Sequence, residues 1–152
     1  EPHTRVIWLR TGIVLASHGG ALAKMLLPFR LFLGGRIGGG QQYMSWIHYL
    51  DHINAMYYLL KQENISGEVN LVAPEPERNV VFTQTLAEAL HRIAIFPMPK
   101  SILRSLLGES ACLLLSSQKV RPQKLLDSGF DFAFVRLEEA LGDLLKKKGR
   151  KE

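Results

Sequence analysis

Apolar residues along this chain change their spacing several times, and each change marks an element. Residues 6–10 (Val-Ile-Trp-Leu-Arg) form a nearly continuous apolar run, the signature of a strand covered on both faces. Residues 21–33 carry a helical pattern that Pro28 kinks or ends. A second short apolar run predicts a strand over 45–49. A helix over 51–62 follows, with Asp51 at its cap and Ile53, Met56, Tyr57 and Leu60 at core spacing. Gly67 turns the chain into a strand over 68–73, which Pro74-Glu75-Pro76 stops. Asn79 is placed to cap a helix over 80–91, whose Phe82, Leu86 and Leu90 make an apolar stripe. Short helices are expected over 102–107, 110–116 and 122–126. A short strand over 132–134 and a last helix over 137–147 complete the pattern.

Strands alternate with helices, without an internal repeat or a low-complexity linker, so the fold class is α/β rather than a helical bundle. A chain of 152 residues, 47% hydrophobic and 22% charged, can bury one core. About four strands can be counted, which is few for a complete doubly wound domain. No apolar run is long enough to span a bilayer, and no secretory leader is visible. A soluble intracellular protein is therefore expected, cytoplasmic or organellar (mitochondrion or plastid), with no membrane partner. The chain lacks a starting Met and enters its first strand at once, which suggests a piece of a longer product.

Most of the net charge of +5 sits in Lys146, Lys147, Lys148, Arg150 and Lys151, opposed there by Glu152. The 146–152 segment is thus a basic tail, expected to be disordered, behind a domain over 1–145 that is close to neutral. Aromatics are not interleaved with those charges, so nucleic acid is not the expected partner. Cys112, the sole cysteine, sits among Ala111 and Leu113-Leu114-Leu115 and reads as an inert buried thiol. His3, His18, His48, His52 and His91 lack metal-ligand spacing, so no metal is expected.

The densest motif is GGRIGGGQQYMSWIHYLD, which ends at Asp51. Five glycines fall between Gly34 and Gly40, where the missing Cβ lets backbone approach another surface closely. The order is helix, glycine loop, strand, which is not that of a dinucleotide loop; the latter follows a strand and opens a helix. Arg10, at the end of the first strand, offers a guanidinium fork to a phosphate or a carboxylate, or a salt bridge to a nearby acid. His48, alternating with apolar neighbours, suits a hydrogen-bonded core position or a base.

Further motifs follow in order: Thr11-Gly12-Ile13-Val14-Leu15, Gly19-Gly20-Ala21-Leu22, Val69-Asn70-Leu71-Val72-Ala73-Pro74, Gln118-Lys119-Val120-Arg121-Pro122, Lys124-Leu125-Leu126 and Gly129-Phe130-Asp131-Phe132. Together with the glycine motif, they make the chain from about Val6 to about Leu145 resemble the C-terminal half of the epimerase-like branch of the extended short-chain dehydrogenases/reductases. Members of that branch are often labelled nucleoside-diphosphate-sugar epimerases.

That resemblance implies the last strands of a Rossmann-like sheet with its small substrate-binding lobe. It also implies hydride exchange with NADP or NAD, the dinucleotide being held mainly by an N-terminal half outside this chain. That half would carry the glycine-rich loop and the Tyr-x-x-x-Lys pair. Tyr57 and Lys61 match the Tyr-x-x-x-Lys spacing only formally, inside an amphipathic helix. No catalytic residue is therefore assigned. Arg10, Gln42, Ser45, Trp46 and His48 are expected to bind a small-molecule substrate. Related enzymes often place a phosphate-binding arginine just before the aromatic-Ile-His strand, where this chain has Met44 and Ser45. The expected partner is the N-terminal half, or another chain that covers the exposed sheet edge. The alternative function is a non-catalytic subunit that keeps the fold within a larger assembly.

Overall fold

The computed structural model describes residues 4–94, 97–99, 101, 104–105, 108 and 115–146. The first strand, β1 (Ile7–Thr11), runs parallel to β5 (Gly67–Leu71), with Ile7 opposite Gly67 and Thr11 opposite Leu71. After Gly12 the chain continues as β2 (Ile13–Leu15), which pairs in parallel with β4 (Trp46–His48) instead. A third pair is antiparallel, β3 (Tyr43–Met44) with β6 (Glu77–Arg78). The helices are α1 (Gly20–Arg30), α2 (Tyr49–Lys61), α3 (Asn79–Ala89), α4 (Gln123–Asp127) and α5 (Leu137–Lys146). Among the described residues, no helix is long and apolar enough to cross a membrane.

Side chains alternate across β2 and β4, and each face is covered. Ile13, Leu15 and Trp46 join one core with Leu22 and Phe29 of α1, Phe82 and Leu86 of α3, and Leu141 and Leu144 of α5. Ile47 points the other way, joining Ala55 and Leu59 of α2, Val69 and Leu71 of β5, Leu125, Phe130 and Phe132. Parallel strands between two helical layers bury both faces, so they read in sequence as unbroken apolar runs.

Several expectations are corrected. β1 is not covered on both faces: Trp8 is 64% exposed and Leu9 is 42% exposed. Among the described residues β1 pairs only with β5, so its other edge carries no strand. The stripe predicted for α2 also faces the wrong way. Asp51, Ala55 and Leu59 are buried, while Ile53, Tyr57 and Leu60 are exposed. The helix is apolar on two sides, and only one of them meets this sheet. α1 ends at Arg30 instead of Leu33. Leu33 N–H reaches Pro28 O at 2.8 Å and Phe32 N–H reaches Phe29 O at 3.2 Å, a closing turn that places Phe32 at φ 59°. Helices expected over 102–107 and 110–116 fall mostly outside the described residues, as do Cys112 and the tail beyond Lys146.

Two polar residues expected to cap helices hold loops instead. Asn79 is wholly buried, and its Oδ1 accepts the Ile37 N–H at 2.7 Å, anchoring the glycine loop. Asp51 lies within the first turn of α2, because the helix begins at Tyr49 and His48 Nδ1 accepts the Leu50 N–H at 3.2 Å as its cap. The two Asp51 oxygens accept the Ala133 and Phe134 N–H groups, each at 2.9 Å. The strand expected over 132–134 does not form, since a carboxylate rather than a neighbouring strand satisfies these amides.

Replacing Asp51 by Ala leaves two inward-facing amides without an acceptor. Asp51→Ala should lower unfolding free energy by about 3 kcal/mol and speed hydrogen exchange at Ala133 and Phe134. Unchanged protection at those two amides would count against the clamp.

Candidate functional site

The chain changes partner at Gly12, and an open cleft of about 470 Å³ forms there. Gly12 N–H donates to Leu71 O of β5 at 3.1 Å, and the next amide, Ile13 N–H, donates to Ser45 O at 2.8 Å. A Cβ on Gly12 would lie 2.4 Å from Ser45 O and 2.7 Å from Val72 Cγ1. Only glycine fits between the two segments. The crossing lies just beyond the carboxyl ends of β1 and β5, where open α/β sheets hold their ligands.

β1 brings Arg10 and Thr11 to the cleft, and β5 brings Asn70. Tyr43 reaches it from β3, and Ser45 from the single-residue link between β3 and β4. The opposite wall is the extended segment 118–121, with Lys119 and Arg121. Its backbone is fastened at several points. Gln118 N–H donates to Tyr43 O at 3.3 Å, and Tyr43 N–H donates to the Ser117 hydroxyl at 3.1 Å. The Ser45 hydroxyl donates to Gln118 O at 2.6 Å and accepts the Val120 N–H at 3.0 Å. Asn70 Nδ2 donates to Arg121 O at 3.1 Å.

The lining is cationic and carries no carboxylate. Arg10 is paired with Glu68 on the exposed side of β5. The Lys119 ammonium lies 5.0 Å from the Tyr43 ring centroid, and the Arg78 guanidinium lies 5.1 Å from it. Beside the cleft, His52 Nε2 shares a 3.2 Å hydrogen bond with the Thr11 hydroxyl. Burial pushes the His52 imidazole below its ordinary value, which favours the neutral ring.

Of the five expected substrate-binding residues, Arg10 and Ser45 line this cleft, while Gln42, Trp46 and His48 do not. Trp46 is wholly buried and donates its indole N–H to Glu75 O at 3.0 Å. His48 is wholly buried too; its ring stacks on Phe134 at 3.9 Å, and its Nε2 lies 3.3 Å from Asp143 Oδ2. Gln42 turns back to donate to Ile37 O at 3.2 Å. Strand alternation accounts for these placements, since successive residues of β4 enter the two cores. Met44, which stands near the arginine position of related enzymes, is buried against Asn79. Tyr57 and Lys61 form a cation–π pair at 4.2 Å on α2, and neither lines the cleft.

Two glycines of the cluster, Gly34 and Gly40, are held in close packing. A Cβ on Gly34 would lie 2.4 Å from the Phe29 ring, so this residue seals the end of α1. The wall residues Lys119 and Arg121 carry no site signal in the sequence beyond their motif. Their sequence neighbourhood has no strand or helix period, so nothing local assigns them to a site.

Gly12→Ala should cost about 1–3 kcal/mol of stability through overpacking at the crossing, read as a lower denaturant midpoint. Full stability in that variant would show that the two segments are not in contact.

A family profile described as a domain of unknown function, DUF1731, matches residues 98–144. The epimerase family protein SERP0438 of Staphylococcus epidermidis is 45% identical over 143 residues, covering 94% of this chain and 48% of that protein. The chain thus spans about half the length of the curated relatives it matches. The crystal structure of human epimerase family protein SDR39U1 (isoform 2) with NADPH superposes at a TM-score of 0.86. It is 40% identical, with 94% of this chain and 49% of that one covered. A nucleoside-diphosphate sugar epimerase from Corynebacterium glutamicum superposes at 0.70 with 28% identity, with 93% and 26% covered.

Proposed function

We propose, for a chain that corresponds to the C-terminal half of an epimerase-like extended short-chain dehydrogenase/reductase, that it supplies the substrate side of an NADPH-dependent oxidoreductase or epimerase. The observation that carries this reading is the polar cleft at the carboxyl ends of β1 and β5, lined by Arg10, Thr11, Ser45 and Asn70. The human relative that shares this fold was solved with NADPH, which favours NADP over NAD as the cofactor.

When bound, the nicotinamide would supply the hydride. The residues of this chain bind and orient. Arg10 and the cations of the opposite wall attract an anionic group on the substrate. The Thr11 hydroxyl is held by the neutral His52 ring beside the crossing. Ser45 fixes the wall, so its hydroxyl acts on the site's shape more than on the substrate directly. Gly12 lets the backbone edge that faces the cleft sit tight against β4 and Val72.

Hydride and proton transfer need polypeptide beyond these residues. The partner is the remainder of such a protein, or a chain that replaces it, docked where β1 has no neighbour. That surface is largely apolar: a groove of about 330 Å³ is lined by Ile7, Leu9, Met56, Leu59 and Leu60, with Arg5 beside them. Trp8 of β1 and Ile53 and Tyr57 of α2 are further exposed apolar residues. Patches of this kind mark contact surfaces, and an unpaired parallel edge invites another strand.

Titration of the whole polypeptide with NADPH, followed by nicotinamide fluorescence, should give saturable binding. The 152-residue chain alone should give none. Absence of saturation in the whole polypeptide would overturn the enzyme reading and leave a scaffold role in an assembly.

A further inference from the structure

We infer that residues 117–121 form a specificity strap, and that Lys119 and Arg121 on it select a substrate bearing a carboxylate or phosphate group. The inference rests on the substrate-side reading of the cleft and extends it to particular residues and a ligand chemistry.

The strap has no secondary structure of its own, yet it is held by three residues from two distant parts of the chain. Tyr43 exchanges backbone and hydroxyl bonds with Ser117 and Gln118. Ser45 takes both the Gln118 carbonyl and the Val120 amide through one hydroxyl. Asn70, at the end of β5, takes the Arg121 carbonyl. Pro122 then fixes the exit into α4 and is itself buried. A segment with no ladder to join is thus held in one conformation. Loops fixed on a rigid scaffold are where recognition side chains are commonly placed.

The fastened groups are backbone groups and the Ser117 hydroxyl, and the strap's two charged side chains remain exposed on the cleft wall. Among the described residues no carboxylate forms an ion pair with Lys119 or Arg121. Across the cleft Arg10 adds a third cation, already balanced by Glu68. The unbalanced charge therefore sits on the strap. An arginine fork and a lysine ammonium on one wall suit a planar carboxylate or a phosphate, which accept several charge-assisted hydrogen bonds at once.

The wall also explains how the fold couples to the site. Tyr43 belongs to the β3–β6 pair, Ser45 stands beside the Gly12 crossing, and Asn70 is in β5. The strap's place thus depends on groups from β3, from the link between β3 and β4, and from β5. Its side chains are exposed, so exchanging them should leave the fold intact.

The test uses the whole polypeptide saturated with NADPH, with inorganic phosphate and succinate as separate probes in isothermal titration. Wild type should bind at least one probe, and which one binds separates phosphate from carboxylate recognition. The paired variant Lys119→Gln/Arg121→Gln, which keeps most of each apolar stem, should weaken that probe by about tenfold or more, with NADPH affinity unchanged. Lys24→Gln, an exposed charge on α1 away from the cleft, should change nothing. Asn70→Ala keeps every charge but frees the Arg121 carbonyl, so it should weaken the probe and speed exchange of the strap amides. Absence of binding of either probe to the NADPH-bound wild type would overturn the inference. So would equal binding in the paired variant, or an equal loss in Lys24→Gln. Failure to bind NADPH at all would instead remove the reading on which the inference rests.

Discussion

The structure turns on one close contact, the passage of Gly12 between the Ser45 carbonyl and the Val72 side chain. There the chain leaves β5 and joins β4 without a break in its extended course, because consecutive amides donate to different neighbours. A side chain at this position would drive the two strand pairs apart. The contact thus sets the spacing of β1–β5 and β2–β4, and with it the width of the cleft between their ends.

Around that crossing the fold depends on polar side chains that replace missing ladders. Asp51 holds 133–134, Asn79 holds the glycine loop at Ile37, and Ser45 with Asn70 holds the strap. Each joins segments far apart in the chain and satisfies backbone groups that no strand reaches. Long irregular stretches are ordered in this way without being sheet or helix. The His48–Phe134 stack adds an aromatic contact at the same junction as the Asp51 clamp. The core histidine therefore braces the site from behind, at a distance from the cleft wall.

Period and punctuation in the sequence were enough for the strands at 46–48 and 67–71 and for the four longer helices, since those signals are local. The glycine loop was legible as a place of close approach. Placement was harder wherever two faces looked alike. α2 is apolar on both sides, so Ile53, Tyr57 and Leu60 fit a core stripe as well as Ala55 and Leu59 do. Only packing on the sheet distinguishes them. Trp46 and His48 share β4 with Ile47, and a three-residue strand between two cores gives no sign of which residues meet a ligand. Asp51 and Asn79 carry the chemistry of caps, and their long-range partners lie 82 and 42 residues away. Arg10 stands at a strand end, a position recognisable in sequence, and Ser45 follows from the resemblance; both line the cleft. Lys119 and Arg121 were not assigned, because their site is made by contacts with strands distant in sequence.

The most direct measurement is a crystal structure of the whole polypeptide with NADPH. Nicotinamide density beside the Thr11–Gly12–Ile13 crossing, facing the cleft and the strap across it, is the expected result. A well-ordered NADPH whose nicotinamide lies away from that crossing, with the cleft closed off from it, would contradict the assignment of this chain as the substrate side.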